Sequence, residues 1–113
     1  MKTLLIIIVL IVVSLMIIEK VEGCEIATVT AYTDLETCTN CITASGDKPF
    51  IGGIACPRNI PLGKKVMING TIFQCSDRTN LRYNGRYDIF FGMGIDAYNK
   101  AIIFGKRKML VCL

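Results

Sequence analysis

Six cysteines constrain this chain more than any other feature, because Cys24, Cys38, Cys41, Cys56, Cys75 and Cys112 all lie behind an apolar N-terminal run. The run starts Met1-Lys2-Thr3, continues from Leu4 to Ile18 broken only by Ser14, and leads through Glu19-Lys20-Val21-Glu22-Gly23 to Cys24. A basic start, an apolar centre of 15 residues and a small residue before Cys24 form the pattern of a secretory signal. That centre is shorter than the roughly 20 residues that span a bilayer. Residues 1–23 therefore read as a signal peptide with no stable span after its removal; an uncleaved anchor is the alternative. An even number of cysteines in a small secreted domain indicates disulfides, on the order of 2–4 kcal/mol each where the core is small. The expected pairs are Cys56–Cys75 and Cys24–Cys112, with Cys38 and Cys41 joined locally or left reduced. Val21-Glu22-Gly23-Cys24 also loosely matches a lipoprotein cleavage site, although Glu22 stands where a small neutral residue is usual. Lipid on Cys24 would leave an odd cysteine.

About 90 residues, 24–113, remain for one small domain. Two of the 13 basic and two of the 9 acidic residues precede Cys24, so the rest keeps a net charge of +4. That mild excess suits an anionic surface or polymer, though it also serves solubility. Histidine is absent. Ser-His and Cys-His catalysis are thereby excluded, along with the usual zinc ligand mix. No cofactor and no metal is expected, and carboxylates are the acid/base groups that remain.

Cys24 to Thr33 alternates with β-branched residues and predicts a first strand. Residues 34–47 are polar and read as a loop. Ile51 to Cys56 is a short apolar run, and Pro57 to Gly63 turns the chain. Lys65 to Cys75 carries Asn69-Gly70 between two strand-like runs, the signature of a type I′ hairpin whose turn residues both need φ > 0. Asn69-Gly70-Thr71 is also a glycosylation sequon, but the tight turn is its expected use. Arg86 to Phe91 predicts another strand. Gly94 to Gly105 predicts a short amphipathic helix on Ile95, Tyr98, Ala101 and Ile102, with Gly105 as its stop. A strand from Lys106 closes the chain. About six short strands and one helix around one core favour a closed or nearly closed small barrel.

Cys75 to Gly94 holds the chemistry. Asp77 and Asp88 sit at the ends of strand-like runs around a polar, glycine-containing turn. Carboxylates fixed in this way suit acid/base work on sugars; aspartate also caps turns by accepting backbone N–H groups. Tyr32, Tyr83 and Tyr87 could stack on sugar rings or sit half-buried in strands. Cys38-x-x-Cys41 has no second CxxC, no histidine and no βαβ context to make it a redox or metal motif. Lys106-Arg107-Lys108 is too small a cluster for nucleic acid and reads as a solvated face.

Taken in order, Ala27-Thr-Val-Thr-Ala-Tyr-Thr33, Thr43-Ala-Ser-Gly46, Gly53-Ile-Ala-Cys-Pro-Arg-Asn-Ile-Pro-Leu-Gly63, Ser76-Asp-Arg-Thr79, Arg86-Tyr-Asp-Ile-Phe-Phe-Gly-Met-Gly-Ile-Asp-Ala97 and Phe104-Gly-Lys-Arg-Lys-Met-Leu-Val111 resemble the 3D (three-aspartate) domain. They also resemble the related catalytic region of the membrane-bound lytic transglycosylase A family. The resemblance spans essentially all of 26–113. It implies an all-β fold for 24–113: a six-stranded double-psi β-barrel with one short helix, shared with expansins and barwin-like proteins. It also implies cleavage of peptidoglycan glycan strands. Asp77 and Asp88 match the second and third family aspartates. The family's A-x-D-P stands here as Ala55-Cys56-Pro57, and its D-T-G-G as Asp77-Arg78-Thr79-Asn80. A Cys56–Cys75 disulfide would replace the first aspartate's polar contact with a covalent clamp.

The implied activity is that of a secreted lytic transglycosylase, with Asp88 as the acid/base, Asp77 as its partner, and Tyr32 and Ser45 as substrate contacts. Such an acid must be protonated when needed, which apolar walls or a neighbouring charge promote; Tyr87 and Ile89-Phe90-Phe91 are the expected walls. The expected partner is peptidoglycan or another cell-wall polysaccharide, with no nucleic acid, and the protein is expected to be monomeric. A non-catalytic expansin-like or barwin-like wall-binding module, and a small disulfide protein acting on a protein partner, are the competing classes.

Overall fold

The computed structural model describes residues 2–19, 23–37 and 41–113. Six strands carry the domain: β1 (Cys24–Tyr32), β2 (Gly53–Cys56), β3 (Lys65–Ile68), β4 (Thr71–Arg78), β5 (Tyr87–Phe90) and β6 (Arg107–Cys112). They close into a ring in the order β1-β5-β2-β4-β3-β6. The β1–β5 and β2–β4 pairings are parallel and the other four antiparallel. Advancing each strand by three places in sequence maps this ring onto itself. The β1–β5 pair becomes β4–β2, and β1–β6 becomes β4–β3, each keeping its direction. The ring thus has an internal two-fold arrangement of β1–β3 and β4–β6.

Alternation explains which side chains fill the ring. Ala27 and Val29 of β1, Ile54 and Cys56 of β2, Val66 and Ile68 of β3, Cys75 of β4, Tyr87 and Ile89 of β5 and Val111 of β6 form one buried core. Both expected disulfides are present. Cys24 and Cys112 are register partners on β1 and β6, with Cα atoms 4.0 Å apart. Cys56–Cys75 joins β2 to β4 inside the core, where both residues are fully buried. The first bridge occupies the Cys24 sulfur that a lipid anchor would need. Cys41 is also disulfide-bonded; its expected local pairing involves Cys38, which lies outside the described residues.

The Asn69-Gly70 turn has φ of 47° and 83°, as a type I′ hairpin requires. Asn69 is further held to β6, accepting from Leu110 N at 3.0 Å through its side chain and donating its own N–H to Leu110 O at 3.0 Å. The 34–47 segment is not all loop. Asp34–Thr37 forms a short helix, α2, and Leu35 N donates to Thr33 Oγ1 across its start.

Gly94–Phe104 forms the expected helix, α3, capped by Gly105 at φ 63°. Its inward face keeps Ala101 from the expected set but not the two isoleucines. Ala97 and Ala101 are buried, whereas Ile95 and Ile102 are 62% and 58% exposed. Small alanines let α3 lie close on β1, and that approach outweighs burial of the larger isoleucines. Phe104 completes the inner face, edge-on to Phe91 with ring centroids 5.1 Å apart. At the N-terminus, α1 (Lys2–Glu19) exposes Leu4 to Ile11. Its 18 residues would extend about 27 Å. Among the described residues no helix is long and apolar enough to cross a membrane.

Candidate active site

The site is on the outer face of the ring, where β4, β2, β5 and β1 run side by side. The registers Asp77–Ala55, Ala55–Asp88 and Asp88–Thr30 set four residues in one row across these strands. Opposed residues on neighbouring strands share a face. Asp77 and Asp88 therefore flank the small Ala55 from two sides, their backbones about 10 Å apart by ordinary strand spacing.

Simple alternation would not put Asp77 there. Cys75 faces the core, so Asp77, two residues on, should face it as well. A β-bulge intervenes: Ile54 pairs with Cys75, yet Ala55 pairs with Asp77, so Ser76 is the extra residue. Bulges re-aim side chains in this way. Ser76 is tucked against Gly53, where an added Cβ would come within 2.9 Å of Ser76 Oγ and 3.0 Å of Phe50 O. Gly53 thus makes room for the bulge, and the bulge turns Asp77 outward.

The two carboxylates are held differently. Asp77 Oδ1 accepts from Ala44 N at 3.0 Å and from Arg78 N at 2.8 Å. It thereby pins the 43–47 turn, which Ser45 N reinforces by donating to Ser76 O at 3.0 Å. The turn-capping reading of aspartate applies to this residue. Asp88 Oδ1 accepts from Thr30 Oγ1 at 3.0 Å. Its apolar neighbours are not all those expected. Tyr87 and Ile89 point into the core, and Phe91 packs on α3. The outer cluster beside the aspartates is Tyr32, Ala55 and Phe90, with the Tyr32 and Phe90 rings 5.3 Å apart.

Tyr32 is the unusual member. It is 95% buried in the sense that only 5% of its surface is exposed. Among the described residues its hydroxyl has no hydrogen-bond partner. Burial raises its pKa well above the ordinary 10.0, and the charges of Asp77 and Asp88 raise it further. The phenol therefore stays protonated beside the two carboxylates, with an unspent donor.

Thr30, Tyr32, Ala55, Asp77, Asp88 and Tyr83 line a cavity of about 540 Å³, together with Arg78, Thr79, Asn80 and Arg86. Arg78 braces the floor, donating through NH1 to Pro57 O at 3.0 Å and to Ile60 O. A second depression of about 430 Å³, near α3, is walled by Phe73, Phe91, Phe104 and Met109, with no ionisable group among the described residues that line it. Three of the four expected site residues, Asp77, Asp88 and Tyr32, therefore meet in one cavity. Ser45 does not join them; it lines a neighbouring depression, its Oγ 2.7 Å from Thr43 Oγ1. Tyr87 is a core residue, whereas Tyr83 stands at the cavity wall, 44% exposed.

Thr30 and Ala55 were not singled out by sequence. Thr30 carried a signal, since it precedes Tyr32 by two and so shares its face of β1. Ala55 carried none, because its value lies only in being small between two carboxylates. Among the described residues no cluster of three or more metal-ligating side chains occurs. Comparison of the chain with protein-family models, and with curated proteins, finds no match.

Proposed function

We propose that the protein is a secreted glycan-cleaving enzyme of the cell wall, a lytic transglycosylase acting on MurNAc–GlcNAc bonds of peptidoglycan. One observation carries this reading: Asp88 and Asp77 share an outward cavity of about 540 Å³ with the Tyr32 hydroxyl, which has no partner among the described residues. The resemblance to the 3D domain, with its double-psi β-barrel, is the second support, and the two-fold ring with its two parallel pairings suits such a barrel. The apolar N-terminal run and the disulfides suit secretion.

Asp88 is the acid/base. Its O–H gives a proton to the bridging glycosidic oxygen as the C1–O bond breaks and C1 becomes oxocarbenium-like. The resulting carboxylate takes the proton of the MurNAc C6 hydroxyl as that oxygen bonds to C1. The product is a 1,6-anhydro sugar, and Asp88 is again protonated. Only one carboxyl need exchange protons in this sequence. Asp77, with Oδ1 committed to two backbone donors, is suited to a fixed charge beside the reacting sugar. Tyr32 supplies a donor to a sugar oxygen, and Tyr83 an exposed ring at the cavity wall.

Purified protein incubated with peptidoglycan should release muropeptides lighter than hydrolysis products by one water, read by mass spectrometry. Asp88→Asn should lower that release by at least about 100-fold while wall binding persists. Absence of anhydro products from the unmodified protein rejects the enzyme. The alternative, a non-catalytic expansin-like or barwin-like wall-binding module, has one observation in its favour. Cys56 stands in the segment where the family has its first aspartate, and it is buried in a disulfide, so it offers the site no acid.

A further inference from the structure

Beyond the two aspartates the cavity wall continues into a pinned, cationic loop. A single 3₁₀ turn, Leu81–Tyr83, is capped by Asn80, whose side chain accepts from Arg82 N at 3.0 Å. Asn84 Oδ1 accepts from Arg58 N at 3.1 Å, and Arg86 N donates to Tyr83 O at 3.1 Å. The loop is therefore held at both ends. Its Tyr83 ring carries two guanidinium groups, Arg86 at 4.4 Å and Arg82 at 5.9 Å from the ring centroid.

A guanidinium resting on an aromatic face keeps its in-plane N–H donors for another partner. Among the described residues neither arginine side chain donates a hydrogen bond. Tyr83 and Arg86 line both the aspartate cavity and an adjoining depression of about 310 Å³. Thr28, Arg82, Asn84 and Gly85 complete that depression, and no carboxylate lines it among the described residues. Lys108 sits beside it, its Nζ donating to Thr28 Oγ1 at 2.7 Å. One continuous surface thus passes from two carboxylates to a cationic hollow.

We propose that this hollow is an anion subsite, in which Arg82 and Arg86 hold a carboxylate carried by the glycan next to the bond at Asp88. The assignment rests on the glycan reading above and narrows the substrate to an acidic sugar chain. A planar fork of donors matches a carboxylate in two-point fashion, which a lysine does not offer.

The test compares a neutral β-1,4-linked N-acetylglucosamine oligomer with an oligomer of equal length carrying lactyl carboxylates on alternate sugars. Affinities are measured by calorimetry on the disulfide-intact protein. The acidic oligomer should bind about fivefold to tenfold tighter at low salt, the preference shrinking at high salt. Arg82→Gln should cut the ratio of the two affinities severalfold, and Arg82→Lys should restore only part of it. Lys65→Gln, which removes the same charge from β3, should leave the ratio as it was. A ratio near one, or an equal fall in Lys65→Gln, overturns the subsite while the glycan reading stands. Should neither oligomer bind, the glycan reading fails, and a separate arm decides the subsite: titration with D-lactate, followed by the guanidinium NMR signals. Shifts confined to Arg82 and Arg86 keep the anion subsite; unmoved signals overturn it.

Discussion

The inner and outer faces of β2, β4 and β5 are built from neighbouring residues and behave as different materials. Inside, Ile54, Cys56, Cys75, Tyr87 and Ile89 make an apolar, cross-linked core. Outside, Ala55 of β2 and Asp88 of β5, each next to a core residue, and Asp77 of β4, turned outward by the bulge at Ser76, make a polar row beside a phenol that has no partner among the described residues. A strand period of two on β2 and β5, and a bulge on β4, let stability and chemistry occupy neighbouring positions of the same segment. The packing sits on the inner face, so the outer face is free to carry a carboxylate on each side of Ala55.

The sharpest way to break that division is from the inside. Cys56→Ala removes a cross-link spanning 19 residues and leaves Cys75 as a buried thiol. A loop of that size predicts a loss of about 3 kcal/mol, read as a lower denaturation midpoint. The row of Asp77 and Asp88 should survive below that midpoint. Collapse of ligand binding in a variant that still shows native-like strand signals would show that the faces are not independent.

Gly53→Ala attacks the hinge between the faces. Its Cβ would meet Ser76 Oγ at 2.9 Å and the Phe50 carbonyl at 3.0 Å. One of these must move, at a cost of about 2 kcal/mol. Because Ser76 is the bulge residue, the displacement should reach Asp77. The expected signature is a loss of sugar affinity larger than the stability loss accounts for, measured by calorimetry well below the melting temperature.

That hinge also marks what the sequence could and could not disclose. The strands, the Asn69-Gly70 hairpin, the Gly105 stop and the presence of disulfides were legible, because each follows from local chemistry: alternation, positive φ, cysteine parity. The pairing of Cys24 with Cys112 and of Cys56 with Cys75 was expected but does not follow from parity, which leaves many connectivities open. Two aspartates at strand ends were legible as well. Their shared face was not. Along Phe73-Gln74-Cys75-Ser76-Asp77, plain alternation sends Asp77 inward with Cys75. Only pairing with β2 reveals the extra residue. The buried face of α3 was legible at Ala101 but not at Ala97, since closeness to β1 rewards the alanines over the more hydrophobic Ile95 and Ile102. Register and close approach are tertiary facts that residue type alone does not encode.

Asp77 sharpens the comparison by separating tether from charge. Asp77→Ala removes the acceptor of Ala44 N and Arg78 N and should cost about 1–2 kcal/mol. Asp77→Asn keeps an oxygen in that place and should lose less than half as much. Amide hydrogen exchange at Ala44 would read the tether directly: fast in the alanine variant, near the parent rate in the asparagine one. Equal exchange in both variants would mean that the charge, not the acceptor, holds the 43–47 turn.

The smallest effect is the most telling, because its sign should be opposite for stability and for binding. Tyr32→Phe deletes a buried hydroxyl that satisfies no partner among the described residues. Removing an unsatisfied buried polar group is neutral or stabilising by up to about 1 kcal/mol. The same change should weaken sugar binding, since the cavity loses a buried phenolic donor that has no partner among the described residues. The pH dependence follows from the raised pKa. In the folded chain Tyr32 keeps its proton where an unfolded tyrosine, with pKa 10.0, has begun to lose it. Folded protein then binds more protons than unfolded protein, so stability is full below about pH 10 and falls as pH rises beyond it. Tyr87, raised by burial and by Glu25, contributes in the same direction. Urea midpoints measured from pH 8 to pH 11 should therefore decline in both proteins, and less steeply in Tyr32→Phe. Identical slopes would show that burial does not hold the Tyr32 proton in the folded chain, and that the phenol is open to solvent.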